Sequence, residues 1–255
     1  MQSTNPVLSR QDVFNRNGYA TFRTDPKPSV PDGLNPVQAP PVAGSRPMTL
    51  DDVIARTGLL LVIAIGTGTA AWLADVGYGL AVVAMLVGFG LAMVNIFKKS
   101  VSPALVMAYA AVEGVALGAI SHAIESSDPS LEGVAVQAVA GTAVVFGVML
   151  ALYKSGKVRV TPRFTRVLMA SAIAYLIVMF GNALLQMFNS GFNAWGGGLG
   201  LLTAALGVTI GAFFLALDFD SAEKLIGMGV PERESWRVAF GLMVTIVWIY
   251  MEMLR

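Results

Sequence analysis

Apolar residues in this chain of 255 residues neither alternate with polar ones at a strand period nor follow a single helical stripe. They come in long blocks separated by short polar breaks. The blocks cover about residues 54–74, 78–97, 103–124, 133–153, 164–187, 198–217 and 236–254. Each is close to the ~20 residues that a helix rising ~1.5 Å per residue needs to cross a bilayer. The pattern predicts an all-α fold, a polytopic bundle of seven transmembrane helices over residues 51–255. No internal repeat supports an inverted-repeat transporter.

Residues 1–50 carry a different signal. Eight of the chain's prolines (Pro6, Pro26, Pro28, Pro31, Pro36, Pro40, Pro41 and Pro47) crowd into or just beside this stretch, which has no sustained hydrophobic period. It reads as a disordered Pro-rich tail. No apolar core of a signal peptide precedes residue 57, so the tail is not expected to be a cleaved leader. Thr49, Asp51 and Asp52 then offer capping groups to the first helix.

Composition sharpens the membrane reading. The chain is 55% hydrophobic and 13% charged, against about 25% charged residues in a soluble domain. It cannot cover a water-facing surface of ordinary extent, and its partner is the lipid bilayer. The absence of cysteine removes disulfide frameworks, thiolate zinc sites, cysteine nucleophiles and cysteine-held iron–sulfur clusters. A single histidine leaves no histidine-based metal cluster. Neither metal nor cofactor is expected, and a net charge of +1 gives no reason to expect nucleic acid.

The placement of charge gives an orientation. Lys and Arg fall in the tail and first-helix start (Arg10, Arg16, Arg23, Lys27, Arg46, Arg56) and in three alternate breaks. Those breaks hold Lys98 and Lys99; Lys154, Lys157, Arg159, Arg163 and Arg166; and Lys224, Arg233 and Arg237. Only Arg255 falls on the other side. The opposite breaks carry Asp75, His122, Glu125, Asp128 and Glu132. By the excess of basic residues in cytoplasmic loops, the N-terminus is cytoplasmic and the C-terminus outside. The regular alternation independently supports seven spans.

Two pairs of small residues, Gly114-x-x-x-Gly118 and Gly207-x-x-x-Gly211, allow helices to approach closely. Such pairs also arise by chance in Gly/Ala-rich helices, so they suggest packing and no more. The methionines read as apolar filler.

Ionisable groups inside apolar blocks carry more weight, each costing about 2.5–3.5 kcal/mol at a helix centre. Glu113, ten residues into its span, lies ~15 Å deep, near the midplane. Glu252 lies ~24 Å into the last span, toward its far interface. Both are candidates for a cation path, against the plainer readings of a hydrogen-bonded buried carboxyl and an interfacial carboxylate. At the other end of the sixth span stands Leu217-Asp218-Phe219-Asp220-Ser221-Ala222-Glu223-Lys224. A helix C-terminus repels anions and neighbouring carboxylates repel each other. Asp220 and Asp218 are therefore the candidate pH sensor, a solvated helix-end cluster being the alternative.

Enzymatic readings find little purchase. The last span has no lysine to hold retinal. The only histidine, His122, sits beside Ser121 at a helix end, poor geometry for a serine nucleophile and its base. No phosphate-cradling Gly-Lys motif occurs. The protein is not expected to be an enzyme.

Three segments in order point to a family. They are Ala108-Tyr109-Ala110-Ala111-Val112-Glu113-Gly114-Val115-Ala116-Leu117-Gly118 in the third span, the acidic close of the sixth, and the last span from Ala239-Phe240-Gly241 to Met253-Leu254-Arg255. Across residues 50–255 the chain resembles the Bax inhibitor-1 superfamily, in the bacterial branch with long polar N-terminal tails. The resemblance implies a pH-sensitive calcium or cation leak channel in the plasma (inner) membrane of a bacterium. It also implies a carboxylate at the end of the sixth span paired with an aspartate in the seventh, their shared protonation gating a central pore. By spacing to the chain end Asp220 matches the first member, with Asp218 next. The place of the second is Thr245, and no Asp or Glu lies between Glu234 and Glu252. The chain departs from the two-carboxylate pattern there.

Two functions from different classes follow. One is ion conduction along a sparse acidic ladder of Asp218/Asp220, Glu113 and Glu252, with acidic outer loops concentrating cations at its mouth. The other is a non-conducting membrane regulator that binds other membrane proteins or a membrane-bound protease, using the N-terminal tail, which can order on binding.

Overall fold

A computed structural model describes residues 46–188 and 197–255. Those residues form seven long helices: α1 (Leu50–Leu73), α2 (Tyr78–Phe97), α3 (Pro103–Ser127), α4 (Val134–Lys154), α5 (Pro162–Met187), α6 (Gly197–Gly227) and α7 (Ser235–Leu254). Single 3₁₀ turns at Pro129–Leu131 and Glu232–Glu234 precede α4 and α7. All seven helices are long and apolar enough to cross a membrane. The large apolar side chains that remain exposed, such as Val62, Leu86, Phe89, Ile177 and Leu201, face lipid in a bilayer rather than water.

The ends of the helices are fixed by local chemistry. Thr49 and Asp52 close a reciprocal capping box on α1, with Thr49 N–H donating to Asp52 Oδ2 at 2.9 Å and Asp52 N–H to Thr49 Oγ1 at 3.3 Å. Pro103 and Pro162 occupy the first helical positions of α3 and α5, where a missing N–H costs nothing. Thr161 caps α5 by accepting Phe164 N–H at 3.1 Å.

One boundary differs from the sequence pattern in a consequential way. Helix α6 was expected to stop at residue 217, with Asp218 and Asp220 at its C-terminal dipole, yet it continues to Gly227. The segment Ser221–Ile226 has good helix formers and an apolar face, and Ala222, Leu225 and Ile226 join the cluster around Leu215, Ala216 and Leu242. Burying that face favours further turns over a polar break. The two aspartates thus lie inside a helix whose dipole ends well beyond them.

A second difference concerns the tail. Its first 45 residues lie outside the described residues, so the expectation of disorder falls outside them too. Arg46 to Thr49, which the sequence assigns to the tail, belong to the folded unit. Pro47 makes an isolated antiparallel bridge with Pro231: Met48 N–H donates to Val230 O at 2.8 Å and Glu232 N–H to Arg46 O at 2.9 Å. Met48 is fully buried in the cluster beneath α6 and α7. Arg46 bonds Asp52 at 2.6 Å and Glu232 at 3.0 Å, and Arg56 bonds Glu232 and lies over the Trp236 ring. These contacts strap the start of α1 to the α6–α7 connection.

Helix α7 is the hub, packing on α1, α3, α4 and α6. It buries Val238, Ala239, Leu242, Met243, Thr245 and Ile249. Helix α3 joins α1 and α2, whereas α5 packs chiefly on α6. This arrangement sets α6 and α7 side by side and brings carboxylates of both to their shared seam.

Candidate functional site

The α6–α7 seam holds the most informative polar contact. Thr245 Oγ1 donates to Asp218 Oδ2 at 2.7 Å. Thr245 is buried and Asp218 half-buried. Gly241, one turn before Thr245, lies beneath the carboxylate: a β-carbon there would make an ordinary 3.8 Å contact with Asp218 Oδ1. Leu215 and Ala216, just before Asp218 on α6, and Leu242, just before Thr245 on α7, belong to one buried apolar cluster. A carboxylate in such a place has one strong donor and little water, so its proton state matters to the contact between the two helices.

Asp220 is placed elsewhere. Two residues on, it points off the seam and pairs with Lys224 at 2.5 Å, while the neighbouring Glu223 accepts from Tyr153 OH of α4 at 2.7 Å. Of the two aspartates, the geometry puts Asp218 and not Asp220 opposite Thr245. The spacing to the chain end had ranked them the other way, because it counts residues and not helix faces.

Two turns along α7 from Thr245, about 10 Å, Glu252 reaches the same seam near its other end. Its Oε2 lies 2.9 Å from Arg255 Nη2, and Arg255 Nη2 donates to Tyr175 OH of α5 at 3.0 Å. Trp248 Nε1 donates to Gly207 O at 3.2 Å. Gly207 makes this cluster possible, since a β-carbon there would come within 2.5 Å of both Glu252 Cδ and Tyr175 OH. The charge of Glu252 is therefore matched by Arg255, the residue that follows the last turn of α7.

Glu113 stands apart from both. It faces α2, where a β-carbon on Gly88 would lie 2.7 Å from its Oε2. The structure does not bring Glu113 onto the α6–α7 seam with Asp218 and Glu252. A cavity of about 650 Å³ between α1, α3, α4 and α7 is lined by none of the four carboxylates. The acidic ladder is thus divided: Asp218 and Glu252 lie on α6–α7, Glu113 on α2–α3, and Asp220 off both with Lys224. No group of three or more His, Asp or Glu among the described residues could hold a metal ion.

Sequence reasoning missed several participants. Tyr175 and Trp248 are single aromatic residues in apolar helices, without any local signal of their role. Glu232 lies in a polar break where a carboxylate attracts no notice. Only the packing shows that it receives both Arg46 and Arg56.

Seven apolar helices with carboxylates held at helix–helix contacts define a multi-pass integral membrane protein with polar groups inside its bundle. Its family is equally definite: the chain belongs to the Bax inhibitor 1 like family, whose sequence model matches residues 5–255, tail included. No curated protein gives a significant match to the chain.

Proposed function

We propose that the protein is a cation leak, not an enzyme, with calcium its first candidate ion, and that protonation of Asp218 sets the rate. The reading places it in the inner membrane of a bacterium with its N-terminus inside. The observation that carries it is the hydrogen bond from Thr245 to Asp218, which joins α6 to α7 at the end of the bundle where the basic loops gather.

Thr245 has one hydroxyl proton and two acceptors in reach, Asp218 Oδ2 at 2.7 Å and Gly241 O at 3.2 Å. With Asp218 ionised, that proton serves the carboxylate in a charge-assisted bond. With Asp218 protonated, the carboxyl donates to Thr245 Oγ1 and the hydroxyl proton turns to Gly241 O. The link survives in both states but is weaker in the second. Acidification therefore loosens the α6–α7 seam, and leak rises as pH falls. Because a hydroxyl replaces the second carboxylate, the response follows a single proton.

Calcium and potassium flux into liposomes containing the purified protein, measured from acidic to neutral pH, tests this. Wild-type flux should rise on acidification with single-proton dependence. Asp218→Asn should abolish that dependence and Asp220→Asn should keep it. Thr245→Asp should make it steeper, two coupled titrations replacing one. Deleting residues 1–44 should leave flux intact, whereas an interaction protein would lose its partners. No flux of either ion at any pH overturns the leak, and an unchanged profile in Asp218→Asn overturns the sensor. Reporters fused before Met48 and after Arg255 should be active on opposite sides of the membrane.

A further inference from the structure

The 650 Å³ cavity lies away from the carboxylates of the proposed leak and has the size of a small-molecule site. Its back wall is α3 and α7, with fully buried Met243 at its floor. Its sides are α1 and α4, which pack on α3 and α7. Ile65, Val136 and Val139 on the two sides are exposed, so the cavity opens sideways, where the bilayer lies. Along α1 it extends from Leu61 to Trp72, a rise of about 16 Å. That is roughly half of a ~30 Å hydrocarbon core, so the cleft belongs to one leaflet.

Its polar atoms are arranged unevenly. Thr142 Oγ1 donates to Ala138 O at 2.7 Å, and Ser121 Oγ lies 2.6 Å from Tyr250 OH and 2.7 Å from Leu117 O. These hydroxyls are satisfied within the protein, so that apart from Thr69 of α1 the walls are largely apolar toward a guest. The one formal charge in the lining is Glu125, at the end of the cleft away from the basic loops. Its Oε1 accepts Ala135 N–H at 2.8 Å, while Oε2 has no hydrogen-bond partner among the described residues. One turn back on α3, His122 meets Asp75 at 3.4 Å and stacks edge-on against Trp72, which also lines the cleft. Asp75, Asp128 and Glu132 lie in the breaks on this side of the chain, and its one basic residue, Arg255, is already paired with Glu252. A phosphate or carboxylate placed next to Glu125 would be repelled. An ammonium would find an acceptor at Oε2 and the indole of Trp72 nearby.

We propose that this cleft is a binding site for a bilayer phospholipid with an ammonium-bearing head of the ethanolamine type, one acyl chain lying between α1 and α4 and the ammonium at Glu125. The phosphate then sits farther out, beyond the carboxylate and toward water. Choline heads lack the N–H donors and bind less well. Phospholipids with net negative heads are excluded by the acidic end.

Photocrosslinking tests the proposal. The full-length protein is reconstituted in phosphatidylcholine liposomes with a trace of phospholipid carrying a diazirine on one acyl chain, its head being ethanolamine, choline or glycerol. Labelled peptides are mapped by mass spectrometry, and lipid-facing α2 serves as the reference for random contact. The ethanolamine lipid should label the α1 and α4 walls of the cleft about tenfold more than the glycerol lipid, as expected for one charge-assisted contact, with equal labelling on α2. Glu125→Gln retains the acceptor for Ala135 N–H, so cleft labelling should persist while head selectivity falls to near unity. Ala143→Trp fills the cleft and should bring its labelling to the α2 level. Val139→Phe does the same should the tryptophan variant fail to fold. Equal cleft labelling by all three lipids in the wild type, cleft labelling no greater than on α2, or selectivity unchanged in Glu125→Gln would each overturn it.

Discussion

The α1–α3 seam and the α6–α7 seam each present two glycines spaced four residues apart, and the two pairs meet different neighbours. At Gly118 a β-carbon would overlap the backbone of Gly68, and at Gly114 it would overlap the Ala64 carbonyl and the Thr67 hydroxyl that bonds it. There backbone lies on backbone. Across α6–α7 the same spacing holds side chains instead. Gly207 makes room for Glu252 and Tyr175, and Gly211 for Ile249, whose Cγ1 would be 2.7 Å from a β-carbon. A spacing that reads identically in sequence thus serves rigid helix contact in one place and admits ionisable and aromatic groups in the other. For the proposed leak the difference matters: the first seam is backbone contact, while the second holds side chains and a carboxylate–hydroxyl link.

Alanine at Gly118 is the hardest test of that contrast. Backbone cannot yield as a side chain can, so Gly118→Ala should cost about 3 kcal/mol or more and separate α1 from α3. Thermal unfolding in detergent should show the largest loss of this series; a near-native transition would mean the seam has slack. Gly207→Ala comes next, at about 2 kcal/mol, because Glu252 and Tyr175 can be displaced only by disturbing Arg255 and Trp248. Its signature is a changed Trp248 environment, read by fluorescence against a Trp248→Phe control. Thr245→Val removes the one side-chain donor to Asp218 among the described residues and should cost about 1.5 kcal/mol where Asp218 is ionised, and less where it is protonated and the bond is weaker. A loss equal at all pH values would reduce the pair to packing. Gly141→Ala should be the mildest, at about 0.5 kcal/mol or less, since the nearest neighbours of its β-carbon all belong to the Met253 side chain, with Sδ at 3.2 Å, and that side chain can rotate away. A cost matching Gly207→Ala would erase the distinction between yielding and unyielding neighbours.

Hydrophobic blocks were enough to locate all seven helices, because a bilayer demands ~20 apolar residues whatever lies beside them. Thr49 and Asp52, likewise, were readable as a cap from residues three apart. Acidic residues inside apolar blocks could be singled out for their solvation cost alone, and Thr245 could be identified as standing where a carboxylate is expected in relatives. Each of these is a property of one helix or of a short segment.

Pairing between helices was not readable in the same way. Nothing in the order of residues says that Asp218 rather than Asp220 turns toward α7, that Glu113 faces Gly88, or that Glu252 finds Arg255 and Tyr175. Helix rotation is decided by the sum of many weak contacts over the whole bundle, so two aspartates two residues apart end on different faces with different partners. The continuation of α6 to Gly227 and the strap from Arg46 to Glu232 have the same origin. A short segment gains stability from burial against α7 and its connecting loop, which local composition does not encode. The sequence by itself determined that the chain must enter a membrane and where it must be helical, since solvent acts on every residue independently of its neighbours in space. Tertiary packing alone decided which carboxylate meets which hydroxyl, because that depends on how seven similar apolar surfaces choose among one another.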